Sequence, residues 1–147
     1  MDKYDCLKLS NQLCFPLYAV SKGIIKKISP YIKELDLTYT QYLVMLVLWE
    51  DSCISVKELG NKLYLDSGTL TPVLKKLETK GFITRKRDIS DERSLNIALT
   101  EEGKALKAKA VNVHEKMGNC IDLEKEDAMR LYTLLYKILD KENNKKI

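Results

Sequence analysis

The sequence predicts a mainly α-helical protein with one β-hairpin inserted between its fourth and fifth helices, and three observations predict it. Apolar residues recur at spacings of three and four along most of the chain, the period of a helix with one buried face. Two Ser/Thr-x-x-Glu/Gln capping boxes, Thr38 with Gln41 and Ser55 with Glu58, mark helix starts in the middle section. Only at Leu95, Ile97 and Leu99 does the apolar period drop to two, the signature of a strand.

The elements follow in order. From Leu13 the positions Leu13, Leu17, Val20, Ile24, Ile28 and Ile32 form an apolar stripe running to about Leu35, with Pro16 in the first turn, where its missing N–H costs nothing. Tyr42 to Trp49 is almost entirely apolar; periodicity alone allows a buried strand, but the Thr38 cap selects a buried helix. Ser55 opens a short helix to about Leu63. Ser67 to Lys80 is the next, capped by Asp66 or Ser67 and ended at Gly81 by a left-handed residue. Pro72 would kink a helix already begun at Ser67, so its regular part is expected nearer Thr69. Phe82 to Arg87 and Leu95 to Leu99 make the hairpin, with the charged tip Asp88 to Arg93 between them. Thr100, with Glu101 and Glu102, starts a long helix to about Met117. Asp122 starts the last, with Leu131, Leu134, Leu135, Ile138 and Leu139 as its stripe.

Composition narrows the class of function. A chain of 147 residues that is 45% hydrophobic and 31% charged, with three prolines and six glycines, suits one globular domain and is neither a disordered nor a membrane composition. The start Met1-Asp2-Lys3-Tyr4-Asp5-Cys6 carries no apolar stretch and no run reaches the length of a spanning helix, so no membrane is involved and a cytoplasmic location is expected. Cys6, Cys14, Cys53 and Cys120 are scattered without a Cys-x-x-Cys pair, and His114 has no companion, so no metal site and no cofactor are expected. In a reducing compartment these cysteines are free thiols.

Two short helices followed at once by a charged hairpin is the order of a winged helix-turn-helix, whose second helix enters the major groove while the hairpin tip reaches the minor groove. Between Lys75 and Arg93 stand seven basic residues (Lys75, Lys76, Lys80, Arg85, Lys86, Arg87, Arg93) against four acidic ones (Glu78, Asp88, Asp91, Glu92). Ser67, Thr69 and Thr71 are short hydroxyls able to touch phosphates or base edges. The same residues also serve as ordinary caps and a solvated face, so the pattern alone leaves both readings open.

Asn11-Gln12-Leu13-Cys14-Phe15, Leu37-Thr38-Tyr39-Thr40-Gln41-Tyr42-Leu43, Tyr64-Leu65-Asp66-Ser67-Gly68-Thr69-Leu70-Thr71-Pro72 and Asp91-Glu92-Arg93 together resemble the MarR-class organic hydroperoxide repressors, over about Leu9 to Leu106. The resemblance implies a homodimer, with residues 1–36 and 101–147 as amphipathic N- and C-terminal dimerisation helices and 37–100 as the winged helix-turn-helix. It implies that two such units read a palindromic operator in double-stranded DNA. Ser67, Thr69, Thr71 and Lys75 would face the major groove, Lys76 and Arg87 would add basic contacts, Arg93 would insert in the minor groove, and Asp91 would orient the wing. The amphipathic first and last helices agree, since their apolar faces need a partner.

The resemblance makes Cys14 the thiol that senses organic hydroperoxides. Such a thiol must be ionised, and an unperturbed cysteine near pKa 8.5 is only about 3% thiolate at pH 7. A helix start supplies unpaired N–H groups that favour the anion. The family adds tyrosine donors; Tyr39 matches one, while Ile28 stands where the other is found, with Tyr18 and Tyr31 near in sequence but not at the matching position. Cys120 lies about where two-cysteine members carry a resolving thiol, and is otherwise a plain interfacial cysteine with a small external thiol in its role. Two other functions fit parts of the pattern: a MarR-type repressor sensing an aromatic or amphipathic ligand, with Cys14 merely buried, and a thiol peroxidase. The second leaves the basic wing idle, and a regulator is expected rather than an enzyme.

Overall fold

The computed structural model describes residues 3–91 and 94–144. Two short 3-10 turns, Asp5–Leu7 and Leu9–Asn11, lead into α1 (Cys14–Ile32), which a third 3-10 turn, Lys33–Leu35, closes. There follow α2 (Tyr39–Asp51), β1 (Cys53–Ser55), α3 (Val56–Leu63), α4 (Ser67–Thr79), β2 (Ile83–Arg87), β3 (Leu95–Leu99), α5 (Glu101–Met117) and α6 (Lys125–Asn144). The helix order is the expected one, with the winged helix-turn-helix between terminal helices.

Both capping boxes form. The Thr38 hydroxyl accepts from the Gln41 N–H at 3.4 Å while the Gln41 amide oxygen accepts from the Thr38 N–H at 3.1 Å, and Ser55 and Glu58 bond reciprocally at 3.2 Å. With its start fixed, α2 runs through the middle of the fold: Tyr42, Val44, Met45, Val47, Leu48 and Trp49 are all buried. A helix surrounded on nearly all sides tolerates apolar residues on every face, which is why its sequence shows little helical period. Leu70, Leu74 and Leu77 of α4, Leu59 of α3, Ile83 and Ile97 of the sheet, Ile28 and Ile32 of α1, and Leu106, Ala110 and Val113 of α5 pack around it in the same core.

Three expectations need correction. The hairpin does not stand alone but is part of a three-stranded antiparallel sheet of order β1-β3-β2, with Cys53 opposite Ala98 and Ile54 opposite Ile97, which puts Cys53 on an edge strand. A strand of three residues is too short for a period to register. The regular part of α4 starts at Ser67, not Thr69: the Asp66 carboxylate caps it by accepting from the Thr69 N–H at 2.8 Å, and Pro72 sits inside it. The carbonyl that Pro72 leaves without its donor is that of Gly68, and both residues are exposed, so water can serve it. Finally, α6 begins at Lys125 and not Asp122, its first turn closing where the Ala128 N–H donates to the Glu124 carbonyl at 2.9 Å.

One close approach fixes how α5 leaves the wing. A Cβ on Gly103 would stand 2.1 Å from the Phe82 carbonyl oxygen, so only glycine lets the first turn of α5 lie on the start of β2. The Gly103 carbonyl then accepts the Trp49 indole N–H at 2.9 Å, binding α5 to α2. No described helix is long and apolar enough to cross a membrane.

Candidate thiol and nucleic-acid sites

Leu70, Leu74 and Leu77 fix the rotation of α4 by turning one face into the core. At 100° per residue the opposite face carries Gly68, Pro72, Lys75 and Thr79, with Ser67 and Thr71 on one flank and Thr69 and Lys76 on the other. All of these are exposed. Two hydroxyls make internal bonds: Thr69 donates to Asp66 at 3.1 Å and Thr71 to the Ser67 carbonyl at 2.7 Å, leaving their lone pairs outward as acceptors. The Asp66 carboxyl is held below its ordinary 3.8 by the Thr69 N–H first and the Thr69 hydroxyl second, so the cap stays charged.

Ser67 and Thr71 open onto a cleft between the helix pair and the hairpin, whose other walls include Lys57 and Asn61 of α3 and Asp91, Ser94 and Leu95. The two α3 side chains were not among the expected site residues; once Ser55 caps α3, its period places Lys57 and Asn61 on one face. In the hairpin turn, Asp88 is the organiser. Its carboxylate accepts from the Ser90 hydroxyl at 2.6 Å, the Ser90 N–H at 2.8 Å and the Asn96 amide at 3.0 Å, which together hold it below 3.8. Asp91 lies on the cleft wall. Glu92 and Arg93, and with them the expected minor-groove contact, lie outside the described residues.

The basic cluster is smaller than its count. Arg85 is half-buried and spends its guanidinium on Glu78, with Nε and Nη2 at 2.9 and 2.6 Å from Oε2. Lys80 turns inward to Asp36 and Gln41. Lys75, Lys76, Lys86 and Arg87 remain exposed on the α4 and wing surface.

The four thiol-site candidates fall into two groups. Cys14 is the first residue of α1 and exposed; no side chain caps that helix start and no acidic residue stands in its first turn. Tyr18 lies one turn on, on the same face, and the Lys22 ammonium stands 5.1 Å over its ring one turn further. Thiol, phenol and cation therefore form one line. The second group is Tyr39 and Cys120. Tyr39 is half-buried at the start of α2, and burial first and the neighbouring Cys120 second raise its phenol above 10.0, keeping it a neutral donor. Cys120 shares a shallow apolar hollow with Val20, Ile24 and Pro30 of α1, and Ile28 is buried beside them in the core. From Cys14 to Val20, the nearest α1 residue of this hollow, is six residues of helix, about 9 Å. A disulfide needs Cα atoms about 4.4–6.8 Å apart, so the two groups cannot bond within one chain.

Cys6 and Cys53 are exposed and share no such grouping. His114 lines an apolar crevice between α2 and α5 with Tyr42, Leu46, Trp49, Ala110 and Val111. No group able to hold a metal ion occurs among the described residues.

Residues 26–110 match the family model described as transcriptional regulator SarA/Rot. The organic hydroperoxide resistance transcriptional regulator of Bacillus subtilis is 49% identical over 142 residues, 95% of each chain. Among solved structures, reduced AbfR bound to DNA, a Staphylococcus epidermidis protein, superposes with a TM-score of 0.77 at 36% identity, covering 95% of this chain and 98% of that one. Disulfide-formed AbfR gives 0.60 at 34% identity, covering 99% and 97%. Escherichia coli MarR with its operator DNA gives 0.76 at 25% identity, covering 95% and 99%.

Proposed function

The chain belongs to the MarR-class transcriptional regulators of the organic hydroperoxide repressor type, and from that premise we propose that it is a homodimeric repressor released from palindromic operator DNA when an organic hydroperoxide oxidises Cys14. The observation that carries the reading is that Cys14 and Tyr18 lie at the start of α1 while Cys120 packs further along it, at Val20 to Pro30, on a helix whose outer stripe is uncovered. Two copies of α1 packed antiparallel would set Cys14 of each against the Tyr39 and Cys120 of the other.

Residues 1–36 and 101–147 form the dimer in this reading, and 37–100 form the DNA-reading unit. Leu13, Leu17 and Val20 are 75, 41 and 53% exposed, an apolar surface suited to a second copy. Ser67, Thr69, Thr71, Lys75 and Lys76 would meet the major groove; Arg87 would follow the backbone, Arg93 would insert in the minor groove, and Asp91 would orient the wing. Half-sites would stand about 10 base pairs apart.

The Cys14 thiolate attacks the outer peroxide oxygen, the O–O bond breaks, the alkoxide leaves as alcohol with a proton, and Cys14 becomes a sulfenic acid. The Cys120 thiol of the second copy displaces its hydroxyl as water, leaving an intersubunit disulfide. Drawing the groups together moves the winged units. The chain turns over once per oxidation, as a regulator and not an enzyme.

Gel shifts with cumene hydroperoxide test this. Cys14→Ser is expected to keep operator binding and lose the peroxide response; Cys120→Ser is expected to form sulfenic acid but no covalent dimer on a non-reducing gel. Peroxide release persisting in Cys14→Ser overturns the thiol reading. The α2–α5 crevice favours one alternative, a sensor of an aromatic ligand; release of Cys14→Ser by a phenol would select it.

A further inference from the structure

Lys80 stands at the C-terminal end of α4 with its side chain 27% exposed, and its ammonium has three oxygen neighbours. It donates to the backbone carbonyl of Asp36, stands 3.3 Å from the Asp36 carboxylate, and donates to the Gln41 amide oxygen at 3.3 Å. Gln41 is itself 2% exposed, and the same oxygen accepts the Thr38 N–H at the start of α2. Asp36 adopts the left-handed conformation, φ 56°, that ends the 3-10 turn Lys33–Leu35.

Both partners of Lys80 lead to the Tyr39 and Cys120 group. Gln41 is two residues beyond Tyr39 on the first turn of α2. The 3-10 turn that Asp36 closes is held to the end of α5 by Glu34, whose carboxylate accepts the Lys116 ammonium at 2.6 Å. Helix α5 stops at Met117, three residues before Cys120. The start of α2 and the end of α5 therefore flank Cys120, and Lys80 joins the recognition helix to both.

We propose that Lys80 is a positioning residue of the release switch, transmitting displacement at Cys120 to the recognition helix; this rests on the redox reading above. Its ammonium binds a backbone carbonyl, a carboxylate and a buried amide, so α4 follows the α1–α2 corner when that corner moves. Its ammonium is spent on these oxygens rather than offered to a phosphate. A demonstrated coupling between two sites, and not their proximity, is what such a role requires.

The test compares operator dissociation constants of the full-length dimer, reduced and after one equivalent of cumene hydroperoxide, for the wild type, Lys80→Met and Lys80→Arg. In Lys80→Met the disulfide still forms and reduced affinity and its salt slope stay near wild type, but the oxidised-to-reduced ratio falls at least five-fold; Lys80→Arg, able to reach the same oxygens, restores at least half of the effect. Lys116→Met removes an exposed ion pair further along and lowers the ratio less, which keeps the proposal testable should Lys80→Met fold poorly. An unchanged ratio in Lys80→Met, or in Lys116→Met if only that variant folds, overturns the proposal alone. A salt slope lowered by about one in reduced Lys80→Met also overturns it, since Lys80 would then be a phosphate contact. A wild type that keeps its operator affinity after oxidation removes the redox reading and this inference with it.

Discussion

Leu70, Leu74 and Leu77 on α4 are at most 1% exposed, whereas Leu134, Leu135 and Ile138 on α6 are 57, 38 and 48% exposed. Both sets are aliphatic and lie on the apolar stripe of their helix. The first meets α2, α3 and the sheet of its own chain; the second meets solvent, and so does the first half of α1. The middle of the chain closes a core together with the second half of α1 and the inner face of α5, while the first half of α1 and α6 carry apolar surface for something else. A stripe of this kind left in water favours association, so the difference separates a part whose stability is intrinsic from a part whose stability depends on concentration.

The largest expected effect breaks the self-sufficient side. Leu74→Ala opens a cavity among Leu70, Leu77 and the α2 residues, and such truncations cost about 2–5 kcal/mol. Denaturant unfolding followed by Trp49 fluorescence should show that loss at every protein concentration. A loss that vanished at high concentration would mean that the middle section also depends on a partner.

Next in size is the dependent side. Leu134→Asp combined with Ile138→Asp places charges on the α6 stripe; the expected result is a monomer by light scattering and an operator affinity at least 100-fold weaker, roughly 2.7 kcal/mol, because one unit then holds one half-site. The middle section stays folded by Trp49 fluorescence. A variant that remains dimeric would assign the exposed stripe to another partner and erase the contrast.

A smaller effect sharpens the contrast inside the wing. Arg85 is paired with Glu78, and Arg93 is the cation that the sequence places in the charged tip, although sequence counted both as cations of one cluster. Arg93→Ala should weaken operator binding more than ten-fold and lower the salt slope, while Arg85→Met should leave that slope unchanged. Equal slopes for the two variants would put Arg85 on the DNA after all.

The same contrast explains what was legible beforehand. Caps are local chemistry, so Thr38 with Gln41, Ser55 with Glu58, and Thr100 could be placed from sequence, and the helices followed. Leu95, Ile97 and Leu99 gave β3, but the three residues of β1 carry no readable period, and their pairing with β3 is a tertiary fact. Cys14 and Tyr39 were legible through motif resemblance. That Cys14 stands with Tyr18 while Tyr39 stands with Cys120 depends on how α1 lies against α2 and α5. The partners of Lys80 and Arg85 were not legible for a related reason: charge is visible in sequence, but the carboxylate or carbonyl that consumes it is brought in from elsewhere in the fold.

The smallest effect concerns what the Arg85 pair does if it does not touch DNA. Glu78 lies on α4 and Arg85 on β2, so the pair fastens the wing to the recognition helix. The hydrogen bond from the Arg85 side chain is the main reason the Glu78 carboxyl lies below its ordinary 4.5. A group whose pKa is lowered by folding stabilises the folded state above its ordinary value and loses that contribution as pH falls through the lowered one. Wing attachment should therefore be intact at neutral pH and weaken only on the acid side of 4.5. Carbon-detected titration of the Glu78 carboxyl should return toward the ordinary value in Arg85→Met, and amide exchange across β2 should quicken there at neutral pH as it does in the wild type in acid. The effect is small because both side chains are partly solvated, 25 and 37% exposed, where ion pairs are screened. A Glu78 carboxyl that titrates identically in Arg85→Met would leave the backbone bonds, Arg85 N–H to Glu78 and Phe82 N–H to the Leu77 carbonyl, and the packing of Ile83 to hold the wing to α4.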